Sequence, residues 1–411
     1  MASKHNRVVI VGGGFGGLFT ALNLSGTGEV TLLSNEDHFL FTPMLYEYMS
    51  REVEAWQIAP PYQELLGESV NFIHGTVTGI DFPTREVAIE EGRQRIAYNI
   101  LVLAVGSVSN FEGVAGTSEH ALPFRKLADA DALRERMVAT IDRISTDSQP
   151  QEARRAATFV VVGGGASGVE VSTKMADLLH KAFARRGLPG EPRALILELE
   201  DKIVPGMDDK MRAHVEEALK KSRVEVQSKA KVLQVTASGV HFEHDGKETD
   251  LEAAAVVWAG GVAVNPLVKK LDLEKEKKRS LIVVEQTLQA RGYENVFALG
   301  DIAHYANADK ELDGTAQLAY QQAGLVAHNV RALLSGENLE TKYFKEMGTS
   351  VSLGTESAAV EVGGHVIAGA LGREARFAMY TARLPTWHHR LRVGPSWFFG
   401  GNEPQLIGGE R

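Results

Sequence analysis

The sequence predicts an α/β fold with two dinucleotide-binding domains and a separate C-terminal region, and three observations carry the prediction. Residues 8–24 read VVIVGGGFGGLFTALNL: four apolar β-formers run into Gly12, Gly14 and Gly17 at G-x-G-x-x-G spacing, and Leu18, Ala21 and Leu22 then recur at helical spacing. Residues 158–173, TFVVVGGGASGVEVST, repeat the signature with Gly163, Gly165 and Gly168. Two apolar runs, ILVLAVG at 100–106 and AAVVWAGGV at 254–262, read as buried strands ending in small residues. Strand, tight glycine turn and helix, in that order, form a Rossmann-like unit. The first glycine makes the turn, the second lets the backbone approach a pyrophosphate, and the third lets the helix pack on the strand. The helix N-terminus then offers free N–H groups and a positive dipole end to the phosphates. Phe15 and Gly16 in the first loop and Ser167 in the second complete the expected cradles. Two such units imply two nucleotides held by one molecule.

At 411 residues the chain has room for two or three domains. Its 44% apolar and 24% charged content is ordinary for a folded soluble protein. A net charge of -9 argues against a nucleic-acid partner, which would favour a basic face. The absence of cysteine excludes structural disulfides, thiolate metal sites and redox-active dithiols, and no metal is expected. The few polar residues before Arg7 do not read as a signal peptide, and no apolar run approaches the roughly 20 residues that span a bilayer. The expected location is cytoplasmic.

Residues 29–33 are expected as the second strand. Such strands usually end in an acid that holds a ribose hydroxyl. Here the end is Ser34, with Glu36 two residues later. Glu36 is expected to take the ribose with Ser34 as helper; the other reading makes Glu36 and Asp37 a solvated turn. Residues 38–48, HFLFTPMLYEY, are too aromatic for an ordinary loop, and Pro43 stiffens them. Core packing accounts for most of these rings, while Thr42, Pro43 and Met44 are expected at a cofactor. Val77, which opens the strand VTGIDF, is counted with them, as are Ala104 and Gly106, small residues at a strand end where backbone can touch a ligand.

Residues 127–144 have helical periodicity, and 145–150 read as a polar connector. The helix of the second unit is expected to run past Phe183 to a break at Gly187, and the next strand, 194–197, to end in Glu198. A carboxylate there accepts from a ribose 2′-hydroxyl and repels a 2′-phosphate, which favours NADH over NADPH; a plain surface glutamate is the alternative. Gly260 and Gly261 are expected to approach the second nucleotide as Gly106 does the first. Residues 271–279 form a charged surface run. The strand VFALGD puts Asp301 at its end, placed to bind a ribityl or ribose hydroxyl. Residues 314–334 read as a helix with Gln317 and Gln321 on one face. Its start, at Thr315 and Ala316, would aim a positive dipole end at a developing anion.

Together, VVIVGGGFGGL, FTPMLYE, ILVLAVGS, VVGGGASGVE, VVWAGGV, TLQARGYENVFALGD and AQLAYQQ resemble the type II NAD(P)H:quinone oxidoreductases, within the wider two-dinucleotide flavoprotein fold, over nearly the whole chain. The resemblance implies FAD in the first unit and NADH in the second. It implies hydride transfer to flavin N5 and two-electron reduction of a membrane quinone (menaquinone, ubiquinone or plastoquinone) without proton pumping. It places Asp301 against FAD, Ala316, Gln317 and Gln321 beside the isoalloxazine and the quinone, and Glu170 near the nicotinamide as an aid to proton delivery. A structural carboxylate or ribose ligand is the other reading of Glu170. Ser34 departs from the acid that the family carries at that strand end. The implied domains are 1–115 and 286–338 for FAD, 116–285 as an inserted NADH domain, and 339–411 as a C-terminal region. Sulfide:quinone oxidoreductases and dithiol reductases share the fold but need cysteines in the electron path, which this chain lacks.

Residues 372–399, GREARFAMYTARLPTWHHRLRVGPSWFF, set Arg373, Arg376, Arg383, Arg390 and Arg392 against Glu374. Phe377, Tyr380 and Leu384 share one helical stripe, and Trp387, Trp397, Phe398 and Phe399 follow. Basic plus aromatic suits an interfacial anchor, with Pro385 splitting it into two pieces. The alternative is a tail packed on its own protein or on a dimer partner. The expectation is a peripheral enzyme at the cytoplasmic face of the cell membrane, with a homodimer left open. Two other readings are a soluble FAD-dependent NADH reductase with another acceptor, and a redox sensor that binds NADH as apoptosis-inducing factor does.

Overall fold

The computed structural model describes residues 6–111, 113–305, 314–345, 347–399 and 402–406. The chain divides into two compact units. The first joins Met1–Phe41, Ala59–Val108 and Val262–Met347; the second joins Thr42–Ile58, Ser109–Gly261 and Gly348–Arg411. Residues 42–58 and the C-terminal region therefore fall with the second unit, where the sequence had put the former at the first nucleotide and the latter apart. The reason is burial: Leu45, Tyr46 and Met49 share one apolar core with Phe159, Met175, Val351 and Ala359.

In the first unit, five parallel strands lie in the order Val296–Ala298, Ile100–Leu103, Arg7–Val11, Glu29–Ser34, Asn71–His74. Val8 pairs with Val30 on one side and Ile100 on the other, so the central strand is buried on both faces and needs its continuous apolar run. The helices Phe15–Asn23 and Ala316–Ser335 pack against each other. Thr315 caps the second by accepting from the Leu318 N–H at 3.1 Å. A small antiparallel sheet, Val77–Asp81, Glu86–Ile89 and Gln94–Ala97, completes this unit's main features.

The second unit repeats the plan: Val224–Gln227, Arg193–Leu197, Thr158–Val162, Ala255–Trp258 and Leu122–Pro123 form a parallel sheet in that order. Its glycine-motif helix, Ala166–Arg186, ends on Gly187 in the left-handed conformation, as the sequence break predicts. Two three-stranded antiparallel sheets are added, Ala230–Thr236, Gly239–His244, Lys247–Glu252 and then Thr349–Ser352, Ala358–Val362, His365–Ala368.

The tail forms two helices, Gly369–Arg383 and Trp387–Phe399, broken at the expected proline. Its anchor stripe divides. Phe377, Tyr380, Leu384 and Trp397 are buried in their own unit, at about 1.5–3 kcal/mol of burial for each aliphatic or phenyl side chain. Trp387, Leu391, Phe398 and Phe399 face outward. Among the described residues, no helix is long and apolar enough to cross a membrane.

Candidate active site

The first glycine cradle is built by exclusion. Gly12 sits at φ 107°, and a Cβ there would come within 2.3 Å of the Ala104 carbonyl oxygen. A Cβ on Gly17 would stand 1.7 Å from the Gly12 carbonyl oxygen. Gly14, at the helix N-terminus, has nothing within 4 Å of such a Cβ, which leaves open the approach a pyrophosphate needs. Gly16 lies against Leu299, and Gly106, at φ 63°, follows the Ala104 floor into open space. Phe15 packs on Phe39 and Phe41, with ring centroids 5.1 and 5.3 Å away. Ser34 is buried at its strand end, and its hydroxyl accepts from the Glu36 N–H at 3.2 Å. Val77 opens its strand half-buried.

Sequence reasoning missed Tyr62. Its hydroxyl donates to the Gly13 carbonyl at 2.7 Å, and a Cβ on Gly13 would meet that hydroxyl at 1.9 Å. Burial pushes the Tyr62 phenol well up, so it remains a donor. The middle glycine of GGG, which the motif does not require, was the available signal.

Asp301 lies in a short 3-10 turn, Gly300–Ile302. The Ser107 hydroxyl donates to its Oδ2 at 2.5 Å, and Gly314, just before the helix Ala316–Ser335, approaches its Oδ1 so closely that a Cβ would be 2.8 Å away. The carboxylate thus sits at the positive end of that helix. Gln321 donates to the Lys345 carbonyl at 2.9 Å, and Gln317 and Ala316 lie half-buried in the helix's first turn. Gln322, not expected, is fully buried: it accepts the Gly300 N–H at 2.7 Å and donates to the Tyr305 hydroxyl at 3.1 Å, fixing the turn that carries Asp301.

The second cradle repeats these contacts. Gly163, at φ 103°, could not hold a Cβ against the Ala259 carbonyl (2.8 Å) and Gly260 Cα (2.9 Å); a Cβ on Gly168 would stand 1.9 Å from the Gly163 carbonyl oxygen; Gly165 is open. Gly261 accepts the Asn110 N–H at 3.2 Å. Glu198 ends its strand buried and accepts the Gly164 N–H on Oε2 and the Glu200 N–H, at 2.8 Å, on Oε1. Its carboxylate anchors the loop and retains further lone pairs. Glu198→Ala is expected to weaken NADH binding about tenfold or more and to narrow the preference for NADH over NADPH. Calorimetric titration with both nucleotides checks this; an unchanged preference would remove the ribose assignment.

Beside this cradle lies a buried network of charge that the sequence did not announce. Ser167 is exposed and its hydroxyl reaches Tyr46. Glu170, 6% exposed, accepts the Ser352 N–H at 2.8 Å and forms an ion pair with Arg376 Nη2 at 3.0 Å. Arg376, expected at a membrane surface, is instead 1% exposed; its Nη2 also donates to the Pro43 carbonyl at 2.6 Å. Thr42 and Pro43 belong to this unit, in the 3-10 turn Thr42–Met44. Glu47 lies 3.5 Å from both Arg376 Nε and Lys174 Nζ; Lys174 pairs with Glu52, and Glu52 with Arg373 at 3.1 Å. Burial raises the Glu170 carboxyl to about 7, against the pull of Arg376 and the Ser352 N–H. A carboxyl poised there can hold and release a proton near neutrality.

The sequence pattern of pyridine nucleotide-disulphide oxidoreductases matches residues 6–323. Demethylphylloquinone reductase NdbB of Synechocystis sp. is 34% identical over 97% of this chain and 96% of its own length. Alternative NAD(P)H-ubiquinone oxidoreductase C1, chloroplastic/mitochondrial, of Arabidopsis thaliana is 30% identical over 96% of this chain and 81% of its own. Type II NADH:quinone oxidoreductase NdhA of Mycobacterium tuberculosis is 29% identical over 96% and 86%. NDH2 from Plasmodium falciparum, solved in complex with NADH, shares the fold at TM-score 0.85 over 97% of this chain and 99% of that one, with 17% identity.

Proposed function

The chain belongs to the pyridine nucleotide-disulphide oxidoreductase family, among its type II NAD(P)H:quinone oxidoreductases, and from that premise we propose that it oxidises NADH through bound FAD and reduces a membrane quinone by two electrons, without pumping protons. The observation that carries this is a duplicated dinucleotide cradle in a chain with no cysteine. The chemistry behind the family's name needs a thiol pair; without one, the electrons cannot leave through a dithiol of this chain.

Bound in the first cradle, FAD would supply the two-electron chemistry that links NADH oxidation to quinone reduction. The chain's residues hold, orient and supply protons. Gly14 leaves the first helix N-terminus open to a pyrophosphate, Glu36 and Ser34 serve a ribose, and Asp301, fixed by Ser107 and Gln322, serves ribityl hydroxyls. The positive end of the helix Ala316–Ser335 stabilises negative charge nearby, and Gln317 and Gln321 supply neutral hydrogen bonds to quinone oxygens. In the second cradle Glu198 selects NADH. Quinol formation consumes two protons, and Glu170 holds one of them at its carboxyl.

The enzyme meets the cytoplasmic face of the membrane through the outward side of the helix Trp387–Phe399. Trp387 is 70% and Phe399 91% exposed; Leu391, Phe398, His388 and Arg392 are exposed as well. Replacing Trp387, Leu391 and Phe398 together by serine removes three apolar contacts worth about 1.5–3 kcal/mol each if fully buried in lipid. Sedimentation with anionic vesicles, and NADH oxidation by a long-chain quinone in them, are expected to fall at least about tenfold, while reduction of a water-soluble quinone persists. Equal rates in both assays with the parent protein would remove the membrane reading.

A further inference from the structure

We propose that Glu47 is a positioning residue for Glu170: the two buried carboxylates share the guanidinium of Arg376, and the hold of Glu47 on it leaves Glu170 able to take a proton. This deepens the quinone-reduction reading above and rests on it for its consequence.

Glu47, Glu52 and Glu170 face two fully buried cations, Lys174 and Arg376. A third cation, Arg373, stands partly in solvent and divides itself between Glu52 and Glu374, at 3.1 and 3.0 Å. One negative charge is therefore poorly compensated, and a buried carboxylate in that position is most easily relieved by a proton. Geometry decides which one. Glu47 touches two cations, Arg376 and Lys174, and Glu52 touches Lys174 and Arg373. Among the described residues, Glu170 touches only Arg376 of the cations, with the Ser352 N–H and the Tyr46 hydroxyl as its neutral donors.

The groups around the pair come from every packed element. The helix Leu45–Met49 brings Tyr46 and Glu47, the helix Ala166–Arg186 brings Glu170 and Lys174, the strand Thr349–Ser352 brings Ser350 and Ser352, and the helix Gly369–Arg383 brings Arg373, Arg376 and Tyr380. Arg376 Nη1 donates to Ser350 and to Tyr380, at 3.1 Å each, so the guanidinium cannot swing wholly to one acid. Burial would push Glu47 up, but Arg376, Lys174 and the Ser352 hydroxyl hold it below the usual range. Glu47 in turn helps raise Glu170.

The test is an infrared pH titration of the protonated-carboxyl band in the purified full chain, with Glu170→Gln identifying the band. Glu47→Gln is expected to lower the midpoint from about 7 by about one pH unit, leaving about fivefold less protonated Glu170 at neutrality. Glu47→Asp keeps the charge but withdraws it from Arg376, and is expected to shift the midpoint the same way by less; it decides the matter should Gln fail to fold. The alkaline limb of flavin reoxidation by quinone is expected to move with the midpoint, and the rate of flavin reduction by NADH to stay put. A midpoint that stays or rises in the folded variants overturns the proposal. Purification without flavin would instead overturn the quinone reading, and the titration would still decide whether Glu47 sets Glu170.

Discussion

Gly17→Ala is expected to yield a chain that purifies without flavin, and Gly168→Ala one that keeps its flavin but no longer reduces it with NADH. Each new methyl group would stand 1.7 or 1.9 Å from a backbone carbonyl oxygen, that of Gly12 or Gly163. The carbonyl cannot yield, because it belongs to a turn held at φ 107° or 103° with another backbone segment against its own Cα. The helix must then lift off the strand, losing the burial of Leu18 or Val169 at its first turn and moving the N–H groups aimed at phosphate. Overpacking of this kind costs about 1–3 kcal/mol or more, and the displaced helix N-terminus removes the pyrophosphate site outright. Flavin absorbance of the purified variants and calorimetry with NADH separate the two cradles. Retention of both ligands by both variants would contradict the assignment.

Arg376→Met is expected to destabilise the protein by about 3–5 kcal/mol at neutral pH, since it strands a buried carboxylate while keeping most of the side-chain volume. The pH dependence identifies which one. Glu47 is held below its ordinary 4.5, so its stabilising contribution is present above 4.5 and is lost as pH falls through the lower folded value. Glu170 works in the opposite sense: raised to about 7, its contribution is complete below 4.5 and is lost as pH rises through about 7. Without Arg376, Glu170 keeps its proton and Glu47 bears the loss. The deficit in urea unfolding free energy should therefore be largest near neutrality and shrink as the solution is acidified below about 4.5. A deficit under about 1 kcal/mol, or one independent of pH, would show that the guanidinium does not carry the charge balance.

Local chemistry was legible in the sequence wherever neighbours in the chain are neighbours in space. Both glycine cradles, the strand end at Glu198, the helix end at Gly187 and the break at Pro385 follow from backbone rules acting over a few residues. Asp301 and the capped helix after it were legible for the same reason. Tyr62 and Gln322 were not: each fixes a site through one hydrogen bond to distant backbone, and neither sits in a periodic pattern. The ionic network was hidden more thoroughly, because Glu47, Lys174 and Arg376 come from three separate stretches and each looks alone like an ordinary surface charge. The tail shows the limit of composition. The residues RFAMY read as basic and aromatic whether they face lipid or their own core, and burial places Arg376, Phe377 and Tyr380 inside while Trp387 and Leu391 face out.

Electron transfer to a quinone through two nucleotides held by one cysteine-free chain is tested most directly by the absorption spectrum of the purified protein under anaerobic conditions, recorded alone, after NADH, and after a soluble quinone. The expected result is a flavin spectrum that bleaches with NADH and returns rapidly with quinone. Absence of flavin would contradict the reading of the first cradle, and bleaching without rapid recovery would contradict quinone as the acceptor.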